Sequence, residues 1–171
     1  IAASPGSQVE LVSWRDAGRV AEFAERHRIA RTCVGFAEAV TDSDIDVVYV
    51  GTPNHTHQDV VTAAAAAGKA VLSEQSLTTT MATAHELVDA VHNRVFFVEG
   101  LMYLAHPVMQ RFVDLLSEER AGTVTAVHMR YAADIKEVVN PLGRGTIYNL
   151  GCYPVSLLHL IEDCLLYTSD A

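Results

Sequence analysis

Short apolar runs alternate with helix-like segments through the first hundred residues of the chain. The run Val47–Val50 precedes a helical segment over 56–67, and a second apolar run follows at 70–72. This succession predicts a strand, a helix and a parallel strand, with polar residues just beyond the carboxyl end of each strand. Open parallel sheets bind their ligands at that edge, so we expect the chemistry of the chain near residues 52–57 and 74–76.

The same alternation extends in both directions from this unit. Further strands are predicted at 9–12, 32–34 and 95–98, and further helices at Ala17–His27, 36–40 and 80–92. Strands that alternate with helices predict right-handed crossovers and a parallel sheet. The predicted fold class is therefore α/β.

The pattern changes after Glu99. We predict a helix at Pro107–Ser117, a strand with period-two alternation at 123–131, a loop at 133–144 and an apolar helix at 146–161. A domain boundary is expected here, between a partial dinucleotide-binding domain over 1–104 and the start of a second domain over 105–163. Residues 164–171 continue no pattern, and we interpret them as a non-native tail.

Composition limits the function more than the fold. Half of the 171 residues are hydrophobic and 19% are charged, which indicates a packed globular protein. The net charge of -9 and the lack of a basic run argue against a nucleic-acid partner. No apolar stretch reaches the roughly 20 residues that span a bilayer, so no membrane partner is predicted. Three cysteines without a CxxC pair indicate reduced thiols and a cytoplasmic location.

The polar residues at the predicted strand ends also have structural explanations. The tripeptide at 52–54 can be an ordinary turn, because Pro and Asn favour turns. Glu74 can cap the following segment or pair with Lys69. His55 and His57 lie close in sequence, but the spacing fixes no third ligand, and no metal site is predicted.

Four motifs resemble the family of glucose-fructose oxidoreductase, inositol dehydrogenase and MocA (Gfo/Idh/MocA) in their order and separation. They are TPNHTH at 52–57, GKAVLSEQS at 68–76, VEGLMYLAHP at 98–107 and GTIYNLGCYPV at 145–155. The branch of dimeric dihydrodiol dehydrogenase is the most similar, and the resemblance covers roughly residues 9–161. It implies a Rossmann domain with a parallel sheet, followed by an α/β domain with an open, mostly antiparallel sheet.

The resemblance also implies an activity. Family members use NAD or NADP to oxidise or reduce a sugar, polyol or related alcohol, so the implied substrate is a small alcohol or carbonyl compound. NADP is the cofactor we expect, with NAD as the alternative, and a homo-oligomer is expected for the full-length parent. No G-x-G-x-x-G lies upstream of the first motif, so we expect the first strand and its Gly-rich loop to be missing and the chain to be truncated at both ends.

Individual residues receive roles from the same resemblance. Cofactor contacts fall on Arg15, Thr52, Pro53, Asn54, His57, Glu74 and Glu99, and catalytic positions fall on Gln75, Asn149 and Tyr153. In these roles Arg15 pairs with the 2′-phosphate of NADP, Glu74 places the nicotinamide half, and Tyr153 relays the substrate proton. Two alternatives to these roles stay open: Arg15 is a solvated surface charge, and Tyr153 is a core residue.

Two of the matched positions depart from the family pattern. Gln75 stands where the family has Lys, and Asn149 stands where it has Asp. Gln does not titrate, and Asn keeps the shape of Asp without its charge, so Tyr153 is the remaining acid–base candidate. Two hypotheses follow: an NAD(P)-dependent oxidoreductase, or a catalytically impaired nucleotide-binding or regulatory relative. An unrelated flavodoxin-like module is a third, but it needs a phosphate-binding loop that the sequence does not show.

Overall fold

The computed structural model describes residues 4–118, 120, 122–135 and 140–162, with the backbone alone at residue 162. The strands are β1 (Leu11–Trp14), β2 (Arg31–Val34), β3 (Val47–Val50), β4 (Ala70–Glu74) and β5 (Phe97–Gly100). The helices are α1 (Ala17–His27), α2 (Phe36–Thr41), α3 (His57–Ala66), α4 (Met81–Val91), α5 (Pro107–Ser117), α6 (Gly145–Leu150) and α7 (Cys152–Glu162). Short 3-10 turns lie at Asn54–Thr56, Met102–Ala105 and Pro141–Gly143.

All described strand pairs are parallel. Strand β1 pairs with β2 in one sheet, and β3, β4 and β5 form a second sheet in that order. These orders match the two sides of the doubly wound arrangement 3-2-1-4-5-6, with no described strand between β1 and β3. The predicted α/β class and parallel sheet are confirmed, and the loops after β3 and β4 lie at the same edge.

A compact core fixes that edge. Helices α3 and α4 pack on the β3–β5 sheet through side chains that are almost fully buried: Val50, Val61, Ala64, Val71 and Leu87. The alanines of α3 let the helix lie close to the strands. Burial of each larger side chain stabilises the fold by about 1.5–3 kcal/mol, so the strand ends that carry the polar loops are held rigidly.

Helix α1 begins with an acidic cap residue that follows β1, next to the predicted cofactor contact Arg15. The Asp16 carboxylate accepts a hydrogen bond from the Arg19 amide at 2.9 Å, which satisfies a backbone group that the helix leaves unpaired. The helix ends at Arg28, whose left-handed backbone forms the C-cap. Asp16 therefore has a structural partner in α1.

Several predicted elements need correction. Residues 123–131 carry a strand-like alternation, but this segment has no regular secondary structure and belongs to neither sheet. The prediction of a strand is wrong, because alternation is local whereas a strand also needs a hydrogen-bonding neighbour. Strands β1 and β5 begin two residues later than predicted, so Glu99 lies inside β5.

The predicted helix over 146–161 is two helices that meet at Gly151. The restart at Cys152 places Pro154 in the first turn of α7, where a missing N–H has no cost. The domain division near residue 104 stays a prediction, and residues 164–171 lie outside the described residues. No helix in the described part of the chain is long and apolar enough to cross a membrane.

Candidate functional site

Buried hydrogen bonds join the loop after β3 to the loop after β4. Asn54, which is 6% exposed, donates from Nδ2 to the Ser76 hydroxyl at 3.2 Å. His57 is fully buried, with Nδ1 3.0 Å from the Ser76 carbonyl oxygen and Nε2 2.7 Å from that of Thr52. A neutral imidazole donates to one of these oxygens and an imidazolium to both. In either state the ring ties the two loops together.

Asn54 also connects this edge to a segment that is remote in sequence. Its Nδ2 donates to the Gly143 carbonyl oxygen at 3.2 Å, and a Cβ at Gly143 would lie 2.5 Å from the Asn54 Oδ1. Nearby, His55 Nδ1 lies 2.7 Å from Nδ2 of Asn140. Glycine at position 143 therefore permits an approach that brings the segment before α6 onto the first loop.

Glu74 ends β4 with its carboxylate bound to a tyrosine of the neighbouring strand. The Tyr49 hydroxyl donates to Glu74 Oε1 at 2.7 Å, and this bond, helped by burial, raises the pKa of Tyr49 to about 12. The alternative partner, Lys69, instead donates to the carbonyl oxygens of Asp42 and Ile45, each at 2.7 Å. Tyr49 thus orients the carboxylate at the carboxyl end of the sheet.

Replacing Tyr49 by Phe should lower the free energy of unfolding by about 0.5 kcal/mol at neutral pH, because one half-exposed hydrogen bond is lost. The pKa of Tyr49 rises on folding, from 10.0 to about 12. Its stabilisation is therefore complete below pH 10 and is lost as the pH rises towards 12. Urea unfolding of both proteins over this range measures the difference. A difference that stayed constant up to pH 12 would contradict the assignment.

The start of α7 meets the residue after Glu74. The Cys152 thiol donates to Gln75 Oε1 at 2.9 Å, and a hydrogen bond from the Gln75 side chain opposes the rise in the pKa of Tyr153. The Tyr153 hydroxyl itself donates to the Met102 sulfur at 3.6 Å, a long contact with a weak acceptor. Gln75 after β4, Met102 after β5 and Tyr153 in α7 therefore lie side by side.

Aromatic rings flank the Tyr153 ring. The Tyr131 ring stacks on it with the ring centroids 4.9 Å apart, and the Tyr103 centroid lies 6.0 Å away. The Tyr103 hydroxyl lies 2.7 Å from the Ser156 hydroxyl in α7. The orientation of the Tyr153 ring is thus set by packing from two segments outside its own helix.

Burial raises the pKa of three acidic groups around Gln75. Burial raises the pKa of the Glu99 carboxyl, and a hydrogen bond with the Leu77 backbone partly offsets this. Burial, followed by the charge of Glu99, raises the pKa of the Cys152 thiol to about 11. Burial is also the first cause of the raised pKa of Tyr153, which the Gln75 hydrogen bond opposes. Cys152 and Tyr153 are therefore protonated donors at neutral pH.

The structure brings together most of the residues that the sequence singled out. Asn54 contacts Ser76 of the loop that follows Glu74, and the charge of Glu74 acts on Tyr153. Gln75 and Glu99 lie in the same group through Cys152. Asn54, Glu74 and Tyr153 thus converge on one edge of the β3–β5 sheet.

The side chains of two predicted residues lie apart from this group. Arg15 follows β1 in the other sheet and is exposed. Asn149 donates from Nδ2 to the Gly145 carbonyl oxygen of its own helix at 2.7 Å, so its amide is bound within α6. It is the backbone carbonyl oxygen of Asn149 that approaches the group, at 3.9 Å from the Cys152 sulfur.

Sequence reasoning missed Tyr49, Cys152 and Tyr131. Cys152 precedes Tyr153 in the fourth motif, so this adjacency was an available signal, but its contact with Gln75 depends on the packing of α7. Among the described residues, no group of three or more His, Cys, Asp or Glu side chains could hold a metal ion. A cavity of about 460 Å³ between α5, α7 and residues 122–124 lies elsewhere and has no acid–base group in its lining.

The fold and its polar edge place the chain among the Rossmann-type α/β proteins. The model of the Gfo/Idh/MocA family, described as "Oxidoreductase family, NAD-binding Rossmann fold", matches residues 1–98. The chain belongs to this family, and the resemblance seen in its four motifs is confirmed.

Curated relatives fall in the predicted branch. Trans-1,2-dihydrobenzene-1,2-diol dehydrogenase of Xenopus laevis is 32% identical over 159 residues, which cover 90% of this chain and 48% of the relative. The protein of the same name from Sus scrofa is 28% identical with the same coverage. The chain therefore spans about half the length of the curated relatives it matches.

Solved structures show the same fold. KijD10, a 3-ketoreductase from Actinomadura kijaniata in complex with NADP and TDP-benzene, has a TM-score of 0.78 and 28% identity, over 93% of this chain and 50% of that chain. A levoglucosan dehydrogenase in complex with NADH and levoglucosan has a TM-score of 0.63 and 26% identity, over 66% and 31% of the two chains. Both nicotinamide cofactors thus occur among similar structures.

Proposed function

We propose that the chain is part of an NAD(P)-dependent oxidoreductase that transfers a hydride between the cofactor and a small alcohol or carbonyl substrate of sugar, polyol or diol type. The observation that carries the proposal is the convergence of Glu74, Gln75 and Tyr153 at the carboxyl edge of a parallel sheet. Family membership supports the cofactor class, and the names of the relatives support the substrate class.

The polar groups at this edge fit NADP. Arg15 is an exposed cation beyond β1, where a 2′-phosphate can be paired. Asp16, the nearest acid in sequence, caps α1 and accepts from the Arg19 amide through Oδ1, which holds its carboxylate at the start of that helix. At the other strand end, Glu74 supplies an acceptor and Gln75 supplies amide donors for the nicotinamide half.

Tyr153 is the residue that we assign to proton transfer. When bound, the nicotinamide supplies or accepts the hydride. The raised pKa of Tyr153 keeps its hydroxyl protonated at neutral pH, so it can donate to a carbonyl oxygen during reduction. Gln75 then donates a hydrogen bond to the phenolate oxygen that proton transfer leaves. A substrate oxygen would replace the weak acceptor Met102 as the partner of the hydroxyl.

A catalytically impaired nucleotide-binding or regulatory relative is the second candidate function. The observation in its favour is that Gln75 brings no charge to the site and the Asn149 amide is bound to its own helix. Neither residue supplies the proton or charge that the family pattern provides. This alternative shares the cofactor site with the first and differs from it in turnover.

Three further properties of the full-length protein are part of the proposal. We expect a second domain beginning near residue 105, a homo-oligomer, and a cytoplasmic location. The second domain rests on the change of sequence pattern after Glu99 and on the family resemblance. The homo-oligomer rests on the resemblance alone, and the location rests on the spacing of the cysteines, which contains no CxxC pair.

Replacing Arg15 by Ala should weaken NADPH binding by about 10-fold and leave NADH binding within about 2-fold, because one charge-assisted phosphate contact is lost. Calorimetric titration of the full protein with each cofactor measures both values. Arg19→Ala, one turn into α1, is the matched control and should change neither affinity. Equal losses for both cofactors would contradict the assignment of Arg15, and failure of the wild type to bind either cofactor would overturn the proposed function.

A further inference from the structure

A directed chain of hydrogen bonds leads to Tyr153 through Gln75. The Cys152 thiol donates to Gln75 Oε1 at 2.9 Å, and a hydrogen bond from the Gln75 side chain opposes the rise in the pKa of Tyr153. An amide oxygen only accepts and an amide NH₂ only donates. Oε1 accepts from the thiol, and the Gln75 bond lowers the pKa of Tyr153 as a donor to its oxygen does, so Nε2 is the group that can make this bond.

We propose that Cys152 is a positioning residue whose thiol holds the Gln75 amide so that its NH₂ group donates to the Tyr153 oxygen. The inference rests on the proposed function, in which that oxygen exchanges a proton with the substrate. With the amide turned over, its NH₂ group would face a thiol sulfur that is only a weak acceptor, and the tyrosine oxygen would lose a donor. Successive hydrogen bonds also polarise one another, so the thiol strengthens the bond made by the amide.

The state of the thiol suits this role. Burial raises the pKa of Cys152 to about 11, so the group is a neutral donor at neutral pH and not a nucleophile. The backbone of Cys152 is held independently of its side chain, because the Ser156 hydroxyl donates to the Cys152 carbonyl oxygen at 2.6 Å. Small substitutions at position 152 therefore leave the start of α7 anchored.

A matched pair of variants isolates the donor. Cys152→Ser keeps a hydroxyl that can donate to Gln75, whereas Cys152→Ala removes the donor. Both remove the thiolate that would otherwise repel the Tyr153 phenolate at high pH, so the comparison between them reports the hydrogen bond alone.

Tyrosine labelled with ¹³C at Cζ allows Tyr153 to be titrated by NMR in the full chain, with Tyr153→Phe identifying its signal. The proposal predicts that Tyr153 titrates at a lower pH in Cys152→Ser than in Cys152→Ala. The same pair at Cys33, whose thiol lies 3.4 Å from the Gly35 carbonyl oxygen in the other sheet, should leave the Tyr153 titration unchanged. Identical titrations in the two Cys152 variants would overturn the proposal.

A second measurement avoids high pH and does not depend on the alanine variant. The S–H stretching band of Cys152, identified by its loss in Cys152→Ser, should move to higher frequency in Gln75→Met, which keeps the length of the side chain and replaces the amide oxygen by a much weaker sulfur acceptor. An unmoved band would overturn the proposal even if Cys152→Ala failed to fold. Neither spectroscopic test depends on turnover. Failure of the positioning role of Cys152 can therefore be distinguished from failure of the proposed function.

In the full protein, Cys152→Ala should lower kcat by about 5- to 10-fold, the equivalent of one hydrogen bond, with little change in KM. Cys152→Ser should restore most of the loss. An unchanged kcat in the alanine variant would overturn the positioning role while leaving the proposed function standing.

Discussion

Replacing Tyr153 by Phe is expected to lower kcat by on the order of 10²- to 10⁴-fold in the full protein, while NADPH affinity stays within about 2-fold. Phenylalanine keeps the ring that stacks on Tyr131 and removes the hydroxyl that receives the Gln75 hydrogen bond. The loss falls on proton transfer because Gln75 and Asn149, the other two predicted catalytic positions, carry amides that do not titrate.

Steady-state kinetics and cofactor titration of the same samples separate chemistry from binding. Tyr103→Phe is the matched control, because its hydroxyl bonds to Ser156 and its ring lies beside that of Tyr153. It should keep kcat within about 2-fold. If the two variants lost activity equally, Tyr153 would be a packing residue, and the proposed mechanism would lose its acid.

The double variant Gln75→Lys, Asn149→Asp is expected to raise kcat by on the order of 10²-fold, because it adds a cation beside Tyr153 and a carboxylate at the position where the family has Asp. The charges of Glu74 and Glu99 both act near Gln75, so a lysine there enters acidic surroundings. An aspartate at 149 could not donate to the Gly145 carbonyl oxygen as Asn149 does, and repulsion would turn it away from α6.

Activity on a panel of diols, polyols and sugars and their carbonyl counterparts measures the gain. Gln58→Lys, in α3 beside Glu86, makes the same Gln-to-Lys change outside the site and should have no effect. A double variant that binds NADPH without any gain would favour the regulatory relative over the enzyme.

Much of the site's location followed from the sequence, because the carboxyl ends of neighbouring parallel strands meet at one edge. The sequence predicts that the loop at 52–57 and residues 74–76 lie at that edge. Hydrogen bonds from Asn54 and His57 to Ser76 connect the two segments in the structure. The turn residues after each strand and the alanine-rich helix between them were sufficient signals for this part.

The Tyr49–Glu74 bond depends on strand register, which local sequence does not fix. Tyr49 aligns with Leu72, so Glu74 lies two residues further along and projects to the same side. Once the register is known, the pair is expected, because side chains two residues apart in a strand project to the same face of the sheet.

Other features depend on contacts between distant segments. The approach of Cys152 to Gln75 depends on how α7 packs against the end of β4, and no pattern within either segment encodes it. The strand predicted at 123–131 is wrong because a strand must pair with a neighbouring strand, and the alternation within the segment does not show whether one is present.

A crystal structure of the full protein with bound NADPH would locate the nicotinamide ring relative to this edge. We expect the ring at the carboxyl end of β4, with Glu74 and Gln75 on one side and the Tyr153 hydroxyl facing its C4 atom. A nicotinamide bound away from this edge, or a Tyr153 hydroxyl separated from the ring by other side chains, would contradict this expectation.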